Sequence, residues 1–138
     1  MTSVKATKKT RTISLRNLTL ATLVAAASAL LINVVLYFLG DIFGAFPPSV
    51  QVQGQPFGVI PVILFSFFPV VIAALVFLLL VRFTAQPKRV FYIVAAVIFA
   101  LMIFTPFTLA GAPTLTIATL ELMHIVVASG SVWAVSRA

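Results

Sequence analysis

The sequence predicts an all-α membrane protein: a four-transmembrane-helix, up-down antiparallel bundle with both termini on the cytoplasmic side. Three observations predict it. Hydrophobic residues make up 62% of the 138-residue chain and charged residues only 8%, where a soluble domain carries about a quarter of its residues charged. Four apolar stretches each reach the ~20 residues needed to cross a hydrocarbon core. All nine Lys and Arg fall in segments that such a topology gathers on one side, as the positive-inside rule requires. Open strands are excluded because their backbone groups would be unpaired in lipid. The period-two alternation of a membrane barrel is absent.

Residues 1–17 read as a basic cytoplasmic tail carrying Lys5, Lys8, Lys9, Arg11 and Arg16. With few apolar residues it is expected to be unstructured in isolation. Its simplest role is to set topology, with a lipid-headgroup contact as the alternative. The four-helix domain then occupies residues 18–135. Span 1, about 18–39, is too long for the apolar core of a cleaved signal peptide and reads as a retained helix. The loop 40–58 is rich in Gly, Pro and Gln, and it carries Phe43, Phe46 and Phe57. Asp41 is expected to be solvated at the end of span 1. Gly40 and Gly44 have GxxxG spacing but sit where a helix end is expected. Val50-Gln-Val-Gln-Gly54 alternates apolar and polar residues and reads as a surface loop, with a short extended piece over the bundle mouth as the alternative.

Span 2 runs over about 59–81. A basic turn with Arg82, Lys88 and Arg89 leads to span 3, about 90–110. Gly111-Ala-Pro113 makes the last turn, and span 4 covers about 114–135, followed by Arg137. The two short links force spans 2, 3 and 4 to be antiparallel neighbours. Tyr92 and Trp133 fall near the cytoplasmic ends, where aromatic anchors are expected. The basic residues are scattered over three segments with no stacking platform, so nucleic-acid binding is not expected. The implied location is the plasma membrane and the implied partners are its lipids, with a protein partner or a homo-oligomer also open.

Ionisable residues within spans are costly and ask for a reason. There are two, Glu121 and His124, both on span 4. Three residues apart, they share a helix face, at depths of about 10 Å and 15 Å from the outer end. On span 1, Ala21, Ala25, Ala29 and Asn33 repeat every four residues. This small-residue stripe is expected to pack against the Ala128–His124–Glu121 face, with Asn33 bonding to Glu121 or His124. Pro69 in span 2 and Pro106 in span 3 each remove a backbone hydrogen bond, freeing the Phe65 and Met102 carbonyls and marking candidate kinks. Ser66 and Thr105 are placed to compensate. Asn33, Ser66, Thr105, Glu121 and His124 are therefore expected to converge on one polar layer in the outer half of the bundle.

Three readings of that layer stay open. It is structural glue that holds the helices in register, a site for proton-linked binding or transport, or a metal site. With one Glu and one His in the spans, a metal site would require an oligomer, so no metal or cofactor is expected of the single chain. The absence of cysteine removes thiol redox chemistry and thiolate metal sites. No nucleophile–base pair is visible, so an enzyme is not expected.

The runs Asn33-Val-Val-Leu-Tyr37 and Thr116-Ile-Ala-Thr-Leu-Glu-Leu-Met-His124 resemble a family of small bacterial, mainly actinobacterial, four-helix membrane proteins known only as a domain of unknown function. The resemblance covers nearly the whole chain in span order and length. It implies the fold and a bacterial plasma membrane, and no activity. Glu121 is not part of that family's pattern. The small multidrug-resistance transporters are similar in size, but their essential acid lies in the first helix, whereas here it lies in the fourth. The expected function is a non-enzymatic accessory or interaction protein. The alternative is a small proton-linked carrier or channel component acting as an oligomer.

Overall fold

The computed structural model describes residues 13–138 and contains four apolar helices, each long enough to cross a membrane. The first, α1, spans Leu15–Ile42. Its start is fixed by Ser14, whose hydroxyl accepts the backbone N–H of Asn17 at 3.3 Å, an N-cap that satisfies one of the free donors of the first turn. The helix therefore begins one turn before the expected Leu18 and absorbs the end of the basic tail. The tail's residues 1–12 lie outside the described residues.

Past Ile42 the chain turns through Gly44, which has a positive φ of 79° and donates to the Asp41 carbonyl. The segment expected to be a plain surface loop holds a small hairpin instead. Gln51–Val52 pairs antiparallel with Gln55–Pro56, joined by Gln53 and Gly54, both at positive φ. Two consecutive positive-φ residues make the tight turn whose twist matches a two-residue hairpin. Val50, at its foot, is buried.

Helix α2 covers Val59–Phe83 and continues through Pro69. Helix α3 covers Pro87–Met102, with Pro87 in its first turn, where a missing N–H costs nothing. The α-helix stops well before the expected residue 110, and the apolar segment long enough to cross a membrane, Pro87–Thr108, is α3 together with the 3-10 turn that follows it. Pro106 does not kink a continuing helix: it opens a separate 3-10 turn, Pro106–Thr108. The cause is the one the sequence supplies, since Pro106 has no N–H for the Met102 carbonyl. That carbonyl accepts the Thr105 hydroxyl instead, at 2.7 Å. Helix α4 covers Thr114–Ser136, directly after Pro113.

The core is a column of small and apolar side chains centred on α1. Ala21, Ala25, Ala26 and Ala29 pack with Val70 of α2 and Ala134 of α4. Toward the start of α1, Leu18 joins Ala74, Phe77, Phe91 and Val135. Toward its end, Tyr37 and Phe46 meet Phe57, Val62 and Met123. Small residues let helix backbones approach closely, which is how helices associate when lipid offers no hydrophobic drive between them. Gly130, 3.6 Å from the Ala25 carbonyl by its virtual Cβ, marks one such approach. Helix α3 is the outlier: its only buried residue is Phe91. Large apolar residues such as Leu31, Val35, Ile72, Leu79 and Ile98 face outward. Such an apolar surface would be a liability in water and is the ordinary coat of a protein in lipid.

Candidate functional site

Asn33 is 1% exposed and lies where α1, α2 and α4 meet. Its Nδ2 donates to Ser66 Oγ at 2.9 Å and to the Met123 carbonyl at 3.3 Å. Both amide hydrogens are thus used, one on each neighbouring helix. The Met123 carbonyl can only accept, so the NH2 group must face it and the amide orientation is set. Ser66 is likewise buried, and its hydroxyl serves Asn33. The Asn33 Oδ1 is buried without a partner.

The expected partner of Asn33 on α4 was a side chain, Glu121 or His124. The structure supplies the backbone of Met123 instead. The buried residues of α4 are Ser131, Ala134 and Val135 toward its end and Thr116, Thr119 and Met123 in its first half, where these last three define the inward face. Their spacing of three and four returns to one side of a helix at 100° per residue. Glu121 and His124 are rotated off that face and are half-buried. Val135 lies eleven residues, about three turns, beyond His124 and so shares its side of the helix. Val135 packs with Phe77 of α2 and Phe91 of α3. The Glu121–His124 edge therefore lies on the Val135 side of α4, off the face that meets Asn33. Glu121 Oε1 and His124 Nδ1 are both buried without a hydrogen-bond partner.

Thr105 does not join the layer. It is exposed and spends its hydroxyl on the Met102 carbonyl. Pro106, in the adjoining 3-10 turn, is buried. Of the five expected members, the structure brings Asn33 and Ser66 into contact. It sets Glu121 and His124 on another face and leaves Thr105 outside. Among the described residues no three His, Asp or Glu side chains gather into a metal-binding group.

Above Asn33 the bundle is closed by contacts the sequence reading missed. The Thr116 hydroxyl donates to the Ala45 carbonyl. Ala45 N donates to the Gly40 carbonyl at 2.8 Å. A Cβ on Gly40 would meet Phe46 and Thr119 at 3.1 Å each, so glycine is needed for α1 to come this close to α4. Tyr37 stacks on Phe46 at 5.1 Å between ring centroids, and Phe46 lies 4.9 Å from Phe57. The signal for this cap was present in the i, i+3, i+7 spacing of Thr116, Thr119 and Met123, which marks an inward stripe.

Two surface clefts flank α1. One, of about 700 Å³, lies between the start of α1 and the end of α4. The other, of about 260 Å³, is lined by Leu31, Ile32, Val35 and Leu36. Neither includes Asn33, Glu121 or His124.

The family model described as "Family of unknown function (DUF6069)" matches residues 13–138. No curated protein and no solved structure matches the chain.

Proposed function

Since the chain belongs to DUF6069, a family of unknown function, its role has to be argued from its own residues, and we propose a non-enzymatic accessory or interaction protein of the plasma membrane. In this reading the helices form an up-down antiparallel bundle with both termini in the cytoplasm. The pairings Asn33 with Met123 and Ala25 with Gly130 support opposite directions for α1 and α4. Lys88, in the first turn of α3, donates to the carbonyls of Ser136 and Ala138 at 3.2 and 2.8 Å. That contact supports a common side for the 2–3 link and the end of α4. The cation bias supports that side being the cytoplasm.

The observation that carries the role is the pair of orphaned atoms, Glu121 Oε1 and His124 Nδ1. A polar group buried without a partner is costly in an apolar medium. Both side chains are only half-buried, so their exposed parts can meet a neighbouring chain that supplies the pair with a partner. The Glu121–His124 edge is thus the contact surface, for a protein partner or a second copy. The alternative, a proton-linked carrier or channel component acting as an oligomer, draws on the same orphaned pair.

The test compares the wild type with Glu121→Gln and His124→Ala. Complex size is measured in mild detergent and proton flux in liposomes. The accessory reading expects a complex larger than the single chain, a shift to single-chain size in both variants, and no flux. An unchanged complex size overturns it. Proton flux that is lost in Glu121→Gln establishes the carrier instead. Topology is read separately with an impermeant maleimide, cleanly because the chain has no cysteine. Gln53→Cys should label in intact cells and Gln86→Cys should not; the reverse pattern refutes the orientation.

A further inference from the structure

The larger cleft combines two helix stripes. From α1 it takes Asn17, Leu20 and Val24, and from α4 Trp133, Ser136 and Arg137. The spacings of three and four place each set on one helix face, so the two stripes form the facing walls of a groove. Its chemistry changes along its length. Asn17, Ser136 and Arg137 are at the helix ends, while Leu20 and Val24 lie up to about 10 Å deeper along α1. One end is polar and cationic and the other is wholly apolar.

The Arg137 guanidinium sits 5.2 Å from the centre of the Trp133 ring, a cation–π contact that holds the charge against the groove wall. Arg16, next to Asn17 in the first turn of α1, is exposed at the same end. Lys88 is bonded to the last carbonyls of α4. Arg137 thus lines the polar mouth itself, and Arg16 and Lys88 add positive charge at the same end of the bundle. The two acidic side chains are elsewhere: Asp41 at the far end of α1, and Glu121 about four turns before Arg137.

We propose that this α1–α4 groove is a binding site for an anionic phospholipid of the leaflet on the basic face, its phosphate held at Arg137 and Asn17 and an acyl chain lying along Leu20, Val24 and Trp133. The occupant follows from the combination. The cationic mouth calls for an anion, a guanidinium being well suited to phosphate. The apolar channel beneath it calls for a hydrocarbon chain covalently attached to that anion. A free phosphate would leave the channel unused, and a zwitterionic lipid would carry its own cation toward the Arg137 guanidinium.

Trp133 is the only tryptophan of the chain, so its fluorescence reports on this groove alone. The full chain is reconstituted in phosphatidylcholine bilayers containing equal small fractions of brominated phosphatidylglycerol or brominated phosphatidylcholine. The ratio of the two quenching efficiencies is compared within each variant, which cancels changes in intrinsic brightness. The groove predicts at least twofold stronger quenching by the anionic lipid in the wild type. The ratio should fall to near one in Arg137→Gln, recover in part in Arg137→Lys, and persist in Arg82→Gln, which removes a cation outside the groove. Millimolar inorganic phosphate should leave the wild-type ratio unchanged. Equal quenching in the wild type overturns the site. So does a preference that survives Arg137→Gln, or one that Arg82→Gln removes equally, since bulk surface charge then explains it. Loss of the preference on adding phosphate makes the site one for a free anion and overturns the lipid assignment.

Discussion

Asn33 and Glu121 are both polar side chains placed beside Met123, and each has an oxygen buried without a partner, yet only Asn33 ties helices together. Asn33 is 1% exposed and spends both amide hydrogens, one on α2 and one on α4. Glu121, only two residues before Met123, is half-buried with an oxygen left unpaired. The first arrangement ties three helices at one point and is inherently specific, since a polar group in lipid has few other places to bond. The second contributes nothing visible to holding this chain together. The two regions thus separate a fixed scaffold, α1 with α2 and α4, from an edge of α4 that takes no part in it. Helix α3 also stands outside the scaffold, because Phe91 is its only buried residue.

The sharpest way to break the scaffold is at its tightest approach. Gly40→Leu would drive a branched side chain against Phe46, Thr119 and Ala45, whose nearest atoms already lie 3.1 to 3.3 Å from a Cβ. Overpacking of this kind costs about 3 kcal/mol, and the expected outcome is loss of folded protein in a detergent melt. Ser66→Ala removes one of the two acceptors of Asn33. Interhelical hydrogen bonds in membranes average about 0.6 kcal/mol, so a drop in melting midpoint of a few degrees or less is expected. Thr105→Val deletes a bond that is local to one exposed turn. It should shift stability by less than about 0.5 kcal/mol. A Thr105 effect as large as that of Gly40 would mean that the third helix belongs to the scaffold after all.

Much of the architecture was legible because lipid imposes simple rules. Length and hydropathy marked the four helices, and the alanine stripe ending in Asn33 correctly marked the buried side of α1. The partner face on α4 was read wrongly for a physical reason. In a span that is apolar all round, hydrophobic periodicity does not separate core from lipid, so the only ionisable pair stands out in the sequence as an inward mark. The real mark was Thr116, Thr119 and Met123, residues of ordinary polarity whose burial depends on packing. Met123 also acts through its backbone carbonyl, which no side-chain pattern announces. Pro106 was visible as a helix disturbance. Whether it bends or ends the helix is decided by the turn that follows, where Thr105 and Thr108 bond back to nearby carbonyls. The hairpin over 51–56 was hinted at by its alternation and by Gly54, but its short length let it pass for a loop.

The separation of scaffold from open edge is tested most directly by unfolding Asn33→Ala and the double variant Glu121→Gln/His124→Ala side by side in the same detergent. Asn33→Ala leaves a void and strands the hydroxyl of Ser66, a combined loss of about 2 kcal/mol. The double variant removes no bond within the chain and should unfold within about 0.5 kcal/mol of the wild type. A large loss for Asn33→Ala with a near-silent double variant is the predicted result. Equal losses, or a larger one for Glu121 and His124, would contradict the division and make that pair part of what holds the bundle together.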